Sequence, residues 1–306
     1  MDFDHPVAPG GYAWWYLDGV SDDGASAITV IGFVGSVFSP YYAFARRRGA
    51  ADPENHVAIN VALYGRGAAW AMTERGRGAL RRGPDLLEVG PSRMRREGRQ
   101  LIVEIDEIAV PWPRRLRGTI RLDLPALGTE DYALGEDARH VWRPIAPVAR
   151  IEVAFEQPRL AWRGNAYLDH NRGTEPIEAG FRSWSWARLT NPAGTTVCYA
   201  VEGRREGPRG FALAFPPAGP PVPGPLPPFV ALKPTLWRIA RPVASEDASS
   251  TRILKTLEDA PFYARSLVAA TIGGEPAVGI HESLSLDRFR RPVVQMMLPF
   301  RMPRRA

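Results

Sequence analysis

The stretch Val57-Ala58-Ile59-Asn60-Val61-Ala62-Leu63 alternates large apolar side chains with smaller or polar ones. A β-strand produces this period of two, because its successive side chains point to opposite faces of a sheet. Similar runs recur at 101–110, 118–124, 151–155, 195–201, 210–215, 250–257 and 278–286. Turn formers such as Asn191-Pro192-Ala193-Gly194 stand between them. The pattern predicts an all-β protein whose antiparallel strands close into barrels or sandwiches.

The length of the chain favours two domains. Its 306 residues, 45% of them apolar, suffice for one large core or two ordinary ones. We predict β-domains at 1–160 and 161–306, with residues 167–171 near the junction. No segment longer than about ten residues has the apolar period of a helix, which excludes the βαβ unit of nucleotide-binding folds. The proline-rich stretch 216–228 is expected to be a surface loop, because proline donates no ladder hydrogen bond.

The composition narrows the possible partners. The only cysteine, Cys198, excludes an intramolecular disulfide and a thiolate-based metal site, and the five histidines show no metal-ligand spacing, so we predict no metal. The net charge is +6, but the arginines are scattered along the chain rather than gathered in one tract. We therefore predict no nucleic-acid partner.

The uncharged segment 24–45 has the length of a membrane span but not its composition. It contains glycines, serines and a proline among β-branched and aromatic residues, which indicates buried strands broken by a turn. The first residues do not resemble a secretory signal. We expect a cytoplasmic protein.

Aromatic residues cluster in three stretches, and two of these also contain acids. In a β-strand, the first stretch would place four of these residues on one face: Tyr12, Trp14, Tyr16 and Asp18. The second stretch would place Tyr167, Asp169 and Asn171 on one face. In the second stretch Leu168 and His170 would then face the other way. A third stretch aligns Trp184 with Trp186. Packing in a β-core is the simplest explanation for each aromatic residue taken alone.

The combination of acids and aromatics also has a chemical interpretation. A carboxyl group surrounded by tryptophan and tyrosine is poorly solvated, so its pKa should rise and it should be able to donate a proton near neutral pH. Nearby aromatic faces stabilise a developing cation. Such a site is suited to protonating an alkene.

Four blocks in order resemble the acyclic carotenoid 1,2-hydratases of phototrophic bacteria. The blocks are G-G-Y-A-W-W-Y-L-D at 10–18, F-V-G-S-V-F-S-P-Y-Y at 33–42, Y-L-D-H-N at 167–171 and H-E-S-L-S-L-D-R-F at 281–289. The resemblance implies two lipocalin-like β-domains, no cofactor, and hydration of the terminal C1=C2 double bond of an acyclic carotenoid such as neurosporene or lycopene.

The resemblance also implies roles for individual residues. The catalytic aspartate of the family falls on Asp169, the tyrosine of its motif on Tyr167 and an upstream tryptophan on Trp142. Thr174 stands where we expect an acidic residue, which leaves the support of Asp169 open. We further expect Trp14, Tyr16, Asn171, Trp184 and Trp186 to bind substrate.

The mechanism that we expect begins with proton transfer from Asp169 to C2, which gives a tertiary cation at C1 facing Trp142 and Tyr167. A water then attacks C1. Asp18 is a reserve acid. His281 and Glu282 resemble a catalytic pair, although an alternating strand favours a structural role for them.

Two other functions fit the same residues. One is a lipocalin-like protein that binds a carotenoid or another lipid without catalysing a reaction, and the other is an enzyme that modifies or cyclises a different terpene on the same scaffold.

A membrane-dissolved substrate would require peripheral association with the intracytoplasmic membrane. The basic C-terminus could supply it through Arg290, Arg291, Arg301, Arg304 and Arg305, interleaved with Phe289, Phe300 and Met302.

Overall fold

The computed structural model describes residues 1–305 and divides the chain into two compact units. Unit 1 comprises Met1–Ala133, Asp137–Pro176 and the C-terminal residues from Met296 onward. Unit 2 comprises Leu134–Glu136 and Ile177–Gln295. Both units consist mainly of antiparallel strands, so the all-β prediction is confirmed.

Thirteen strands of unit 1 precede Ile177–Gln295, the main segment of unit 2, in the chain. They are β1 (Tyr12–Ser21), β2 (Ala27–Val34), β3 (Val57–Tyr64), β4 (Ala69–Met72), β5 (Glu74–Arg75), β6 (Leu80–Gly83), β7 (Leu86–Val89), β8 (Ser92–Glu97), β9 (Gln100–Ile108), β10 (Arg115–Asp123), β11 (Tyr132–Ala133), β12 (His140–Gln157) and β13 (Leu160–Gly173).

The remaining strands lie in unit 2, except for the last. They are β14 (Phe181–Asn191), β15 (Gly194–Gly203), β16 (Pro208–Phe215), β17 (Val222–Gly224), β18 (Phe229–Leu232), β19 (Arg241–Ala244), β20 (Arg252–Asp259), β21 (Tyr263–Ile272), β22 (Glu275–Ser285) and, back in unit 1, β23 (Arg304–Arg305).

The helices are short. They are α1 (Pro40–Arg46), α2 (Ile177–Gly180), α3 (Leu286–Phe289) and α4 (Pro292–Met297). The expectation that segment 24–45 is strand and turn is wrong in its second half, where α1 forms. Ser39 caps this helix by accepting a hydrogen bond from the Tyr42 amide at 3.0 Å, and Pro40 occupies its first turn, where the missing amide proton costs nothing.

The strands of unit 1 form one sheet in the order β23-β5-β3-β2-β1-β13-β12-β10-β9-β8-β7-β6, with β4 paired to β3 and β11 to β12. Its centre, β1 and β13, joins segments about 150 residues apart in the chain, with Tyr12 opposite Gly173 and Ser21 opposite Gly164. One face of these central strands packs into a large apolar core that includes Trp15, Leu17 and Leu168. The opposite face carries the predicted site.

Unit 2 contains a seven-stranded antiparallel sheet in the order β17-β16-β15-β14-β22-β21-β20 and a separate pair, β18-β19. The expectation that stretch 216–228 holds no paired strand is wrong. Val222 pairs with Ala214 and Pro223 with Leu213, so β17 forms the edge of the sheet. An edge strand tolerates proline because the missing donor faces away from the neighbouring strand.

The break between the two units follows Pro176, whereas the sequence placed a domain boundary after residue 160. The reason is the pairing of β13. This strand lies between β1 and β12 along its length, so residues 160–173 belong to the sheet of unit 1.

Candidate active site

The site lies where β1, β13 and β12 run side by side in unit 1. Tyr16 is directly opposite Asp169, and Asp18 is opposite Tyr167. On the other side of β13, Trp142 is opposite Asn171. Side chains directly opposite one another in a sheet share a face. The predicted alternation of both stretches is therefore confirmed, and it brings the acids and aromatics of three strands together.

The carboxyl group of Asp169 accepts hydrogen bonds from three side chains of this face. Its Oδ2 accepts hydrogen bonds from the Tyr167 hydroxyl at 2.7 Å and from the Trp142 indole Nε1 at 2.9 Å. Its Oδ1 accepts one from the Asn171 amide at 3.2 Å. The side chain of Asp169 is only 2% exposed, and Trp142 and Tyr167 are fully buried. The carboxyl is thus fixed in position and withdrawn from solvent.

Aromatic rings extend the site along the same face. The rings of Tyr16 and Tyr167 meet edge to face, with centroids 6.2 Å apart. Trp14 stacks on Tyr12 at 4.9 Å and meets Phe33 edge to face at 6.3 Å. These contacts give the face an apolar, π-rich surface suited to a hydrocarbon.

Sequence reasoning missed a second polar chain on this face. The Tyr12 hydroxyl and Nδ1 of His140 are 2.9 Å apart, and Nε2 of His140 is 3.3 Å from Glu175 Oε1. Gly173 lies between them, and a Cβ there would come within 2.5 Å of the Tyr12 ring. The glycine thus permits the close approach of Tyr12 and His140. A tyrosine and a glycine opposite each other, 161 residues apart in the chain (173 − 12), give no local signal in the sequence.

His140 and Glu175 also bear on the unexpected Thr174. The acidic residue next to that position in the sequence is Glu175, which contacts His140 and Arg139. Asp169 instead takes its support from Tyr167, Trp142 and Asn171.

His170 faces the apolar core, as its position in the alternation predicts. Its ring stacks on Trp15 with centroids 4.7 Å apart and planes only 4° from parallel. Burial, with the nearby Arg172 guanidinium, holds the pKa of His170 well below the usual value, so the imidazole is neutral. The histidine adjacent to Asp169 in sequence is therefore part of the core.

Two predicted substrate-binding residues, Trp184 and Trp186, lie on β14 in unit 2. Both are buried, and Trp184 packs edge to face against Phe181 and Tyr199 at 5.5 and 5.3 Å. Their shared face agrees with the predicted alignment. Their role in binding stays a prediction.

His281 and Glu282 do not form a pair. His281 lies 2.9 Å from the Pro242 carbonyl, and burial lowers its pKa to about 4. The Glu282 carboxylate forms an ion pair with Arg265. The structural role favoured by the alternating strand is the one that the contacts support.

The C-terminal segment differs from its predicted arrangement. Phe289 and Met302 are buried, which removes them from a membrane-facing set, whereas Phe300 is 80% exposed. Arg301 stacks over the Trp70 ring at 4.5 Å, and Arg304 pairs with Glu74. An alternating pattern of basic and apolar residues could not show which of them fold inward.

Two other kinds of site would need features that residues 1–305 do not have. No helix there is long and apolar enough to cross a membrane. No group of three or more His, Cys, Asp or Glu side chains in the same range is arranged to hold a metal ion.

The chain is similar to known carotenoid hydratases. A family model described as carotenoid hydratase CrtC matches residues 30–306. An acyclic carotenoid 1,2-hydratase from Thiocapsa roseopersicina is 52% identical over 304 residues, covering 99% of this chain and 75% of the relative. Another, from Rubrivivax gelatinosus, is 49% identical and covers 99% of this chain and 76% of the relative.

Structural similarity extends to a more distant protein. The crystal structure of a protein assigned as AttH from Nitrosomonas europaea superposes with a TM-score of 0.61 at 15% identity, covering 90% of this chain and 92% of the other. At that identity the likeness concerns the fold alone. The sequence relatives and the family model decide the identity: the chain belongs to the carotenoid hydratase family.

Proposed function

We propose that the protein hydrates the terminal C1=C2 double bond of an acyclic carotenoid, with Asp169 as the proton donor. One observation carries this proposal: a carboxyl group that is 2% exposed is held by Trp142 and Tyr167 on an aromatic face of the sheet. Burial disfavours the ionised form of a carboxyl group, and an aromatic surface accommodates a polyene.

The first step is proton transfer from Asp169 to C2 of the terminal isopropylidene group. The new C–H bond forms from the π electrons, which leaves a tertiary cation at C1. The hydrogen-bond network suits both states of the acid, because the Tyr167 hydroxyl can accept as well as donate. General acid catalysis of this kind contributes about 100- to 10,000-fold.

The second step is stabilisation and capture of the cation. Trp142 and Tyr167, whose polar groups donate to Asp169, would face C1 with their rings. Each aromatic face contributes about 1 to 2 kcal/mol when water is excluded. Water then forms the C1–O bond, and its extra proton passes to the Asp169 carboxylate or to a neighbouring group. The sequence of steps uses only acid–base chemistry and requires no cofactor.

The same face of the sheet would bind the hydrocarbon chain of the substrate. Trp14 and Tyr16 would line the hydrocarbon chain, and Asn171, which donates to Asp169 Oδ1, would orient the acid.

Product analysis tests the proposal. Purified protein supplied with lycopene or neurosporene in detergent should yield a tertiary alcohol heavier by one water, and Asp169→Asn should yield none. Asp106→Asn is the matched control, because it removes a carboxylate that forms a surface ion pair with Arg115. Binding of the carotenoid with no change in mass would instead support a lipid-binding protein, and a cyclised product a related terpene enzyme.

We also propose that the protein associates peripherally with the membrane in which its substrate dissolves. Met296, Met297 and Phe300 form a C-terminal apolar patch, with exposed fractions of 66%, 39% and 80%. Exposed apolar side chains of this kind insert into the headgroup region of a bilayer.

Vesicle flotation tests the membrane contact. Wild-type protein should float with liposomes containing anionic lipid, and Phe300→Ser should weaken this binding severalfold. Trp112→Ser is the control, because Trp112 is equally exposed at 80% but lies in the loop between β9 and β10. Equal loss in both variants, or no binding by the wild type, would contradict the assignment.

A further inference from the structure

The tripeptide Tyr-Leu-Asp occurs twice in the chain, at 16–18 and at 167–169. The two copies lie side by side in antiparallel register, so Tyr16 is opposite Asp169 and Asp18 is opposite Tyr167. In each copy the tyrosine hydroxyl donates to the aspartate two residues on, at 3.0 Å for Tyr16 and 2.7 Å for Tyr167. The site therefore holds two similar carboxyl groups, not one.

The two carboxyl groups are close enough to act on one substrate. They occupy diagonal positions of adjacent strands, for which Cα atoms are about 7–8 Å apart. Asp18 is fully buried, as Asp169 nearly is. Paired carboxyl groups with a gap for water between them are the arrangement with which one acid protonates a substrate and the other activates the attacking water.

A neighbouring hydroxyl group marks where that water would bind. Thr29 on β2 is directly opposite Asp18, on the same face, and is 4% exposed. Its Oγ1 has no hydrogen-bond partner among the described residues. Buried hydroxyl groups nearly always have a partner, and an ordered water is the usual one when protein atoms supply none.

We propose that Asp18 is the catalytic base of the water step and that Thr29 helps to hold the attacking water. This inference rests on the proposed function of Asp169. After Asp169 protonates C2, an oxygen lone pair of the water forms the C1–O bond, and Asp18 takes one proton from that water. The proton then passes from Asp18 to Asp169, which restores both groups, so one alkene and one water give one alcohol.

The reverse reaction requires the same two groups. Loss of water from a tertiary alcohol needs an acid at the hydroxyl and a base at C2, and these are Asp18 and Asp169 with their roles exchanged. A single carboxyl group would have to serve both carbons. The paired arrangement lets each group stay beside one carbon.

Thr29→Val provides the first test because it leaves the packing nearly unchanged. Losing a buried hydroxyl group without a protein partner should leave the melting temperature unchanged or raise it. If Thr29 holds the water, kcat should fall about tenfold with little change in KM. An unchanged kcat would overturn the role of Thr29.

Asp18 variants with azide provide the second test. Asp18→Asn should lower kcat about 100-fold or more. In Asp18→Ala, sodium azide should give a 1-azido product faster than water gives the alcohol, because azide adds to a cation without losing a proton. Asp169→Asn should give neither product, since it forms no cation.

Each outcome is decisive. Full hydration by Asp18→Asn, or an Asp18→Ala variant inactive towards both water and azide, would overturn the role of Asp18 while leaving Asp169 in place. Turnover by Asp169→Asn would instead overturn the proposed function.

If Asp18→Ala does not fold, Tyr16→Phe tests the role of Asp18 instead, because it removes the 3.0 Å hydrogen bond to Asp18 and keeps the ring. We then expect a lower kcat, and an unchanged kcat would count against Asp18.

Discussion

The two faces of strand β13 differ sharply although they alternate residue by residue. Tyr167, Asp169 and Asn171 share hydrogen bonds on one face, whereas Leu168 packs into the apolar core on the other. His170 also lies on the core side, stacked on Trp15. Both faces are buried, but one contributes stability through apolar packing and the other holds polar groups that cost stability unless they are paired.

Residues of the proposed site and residues of the apolar core thus occupy adjacent positions in the sequence of β13. A shift of register by one residue would exchange the two sets completely. The extended pairing of β13 with both β1 and β12 fixes the register. Substitutions at adjacent positions should therefore have different kinds of effect.

The largest effect is expected from Asp169→Asn on the polar face. Turnover should fall about 100- to 10,000-fold because the proton donor is lost. The free energy of unfolding should change little, since the amide oxygen still accepts from Trp142 and Tyr167. Steady-state kinetics and urea unfolding measure the two quantities. A large loss of stability together with retained turnover would contradict the separate roles of the two faces.

Leu168→Ala should give the converse result on the core face. Leu168 is fully buried, and truncation of such a side chain costs about 2–5 kcal/mol of unfolding free energy. The folded fraction should keep kcat within a few fold. Unfolding curves and active-site-normalised rates test this, and a loss of kcat comparable to that of Asp169→Asn would contradict it.

Tyr167→Phe should have a smaller effect on the polar face. The variant keeps the ring but removes the 2.7 Å hydrogen bond to Asp169, so kcat should fall about tenfold. Tyr132→Phe is a suitable control, because its hydroxyl group contacts Glu130 on the surface. Equal kcat values for the two variants would show that the hydroxyl group of Tyr167 does not position the acid.

The smallest effect is expected on the pH dependence of stability, and it arises from His170 on the core face. Burial lowers the pKa of His170 in the folded state, so the unfolded chain binds more protons once the pH falls below about 6.5. The contribution of neutral His170 to stability is complete above that pH and is lost as the pH falls towards the lowered folded-state pKa. The melting temperature of His170→Phe should thus drop less between pH 7 and pH 5 than that of the wild type. Equal drops would contradict this.

The sequence was informative about this face because alternation is a local property. Tyr12, Trp14, Tyr16 and Asp18 could be placed together from their spacing alone, and Asp169 was identified with the help of the family motif. The all-β class followed from the same period of two.

Other features depend on contacts between distant segments and gave no local signal. The register that sets Tyr16 against Asp169 joins two strands across most of unit 1. The contact of His140 with Tyr12 depends on the same pairing. The inward turn of Met302 and the outward position of Phe300 also depend on tertiary packing. Spacing predicts which residues share a strand face, but not which strands become neighbours.

One measurement tests the central role of Asp169 most directly. Wild-type protein should convert lycopene in heavy water to a tertiary alcohol that carries one non-exchangeable deuterium at C2, located by mass spectrometry and NMR. Asp169→Asn, folded to the same extent, should incorporate none. Deuterium at C2 in the product of Asp169→Asn would contradict the account, as would a wild-type alcohol without deuterium at that carbon.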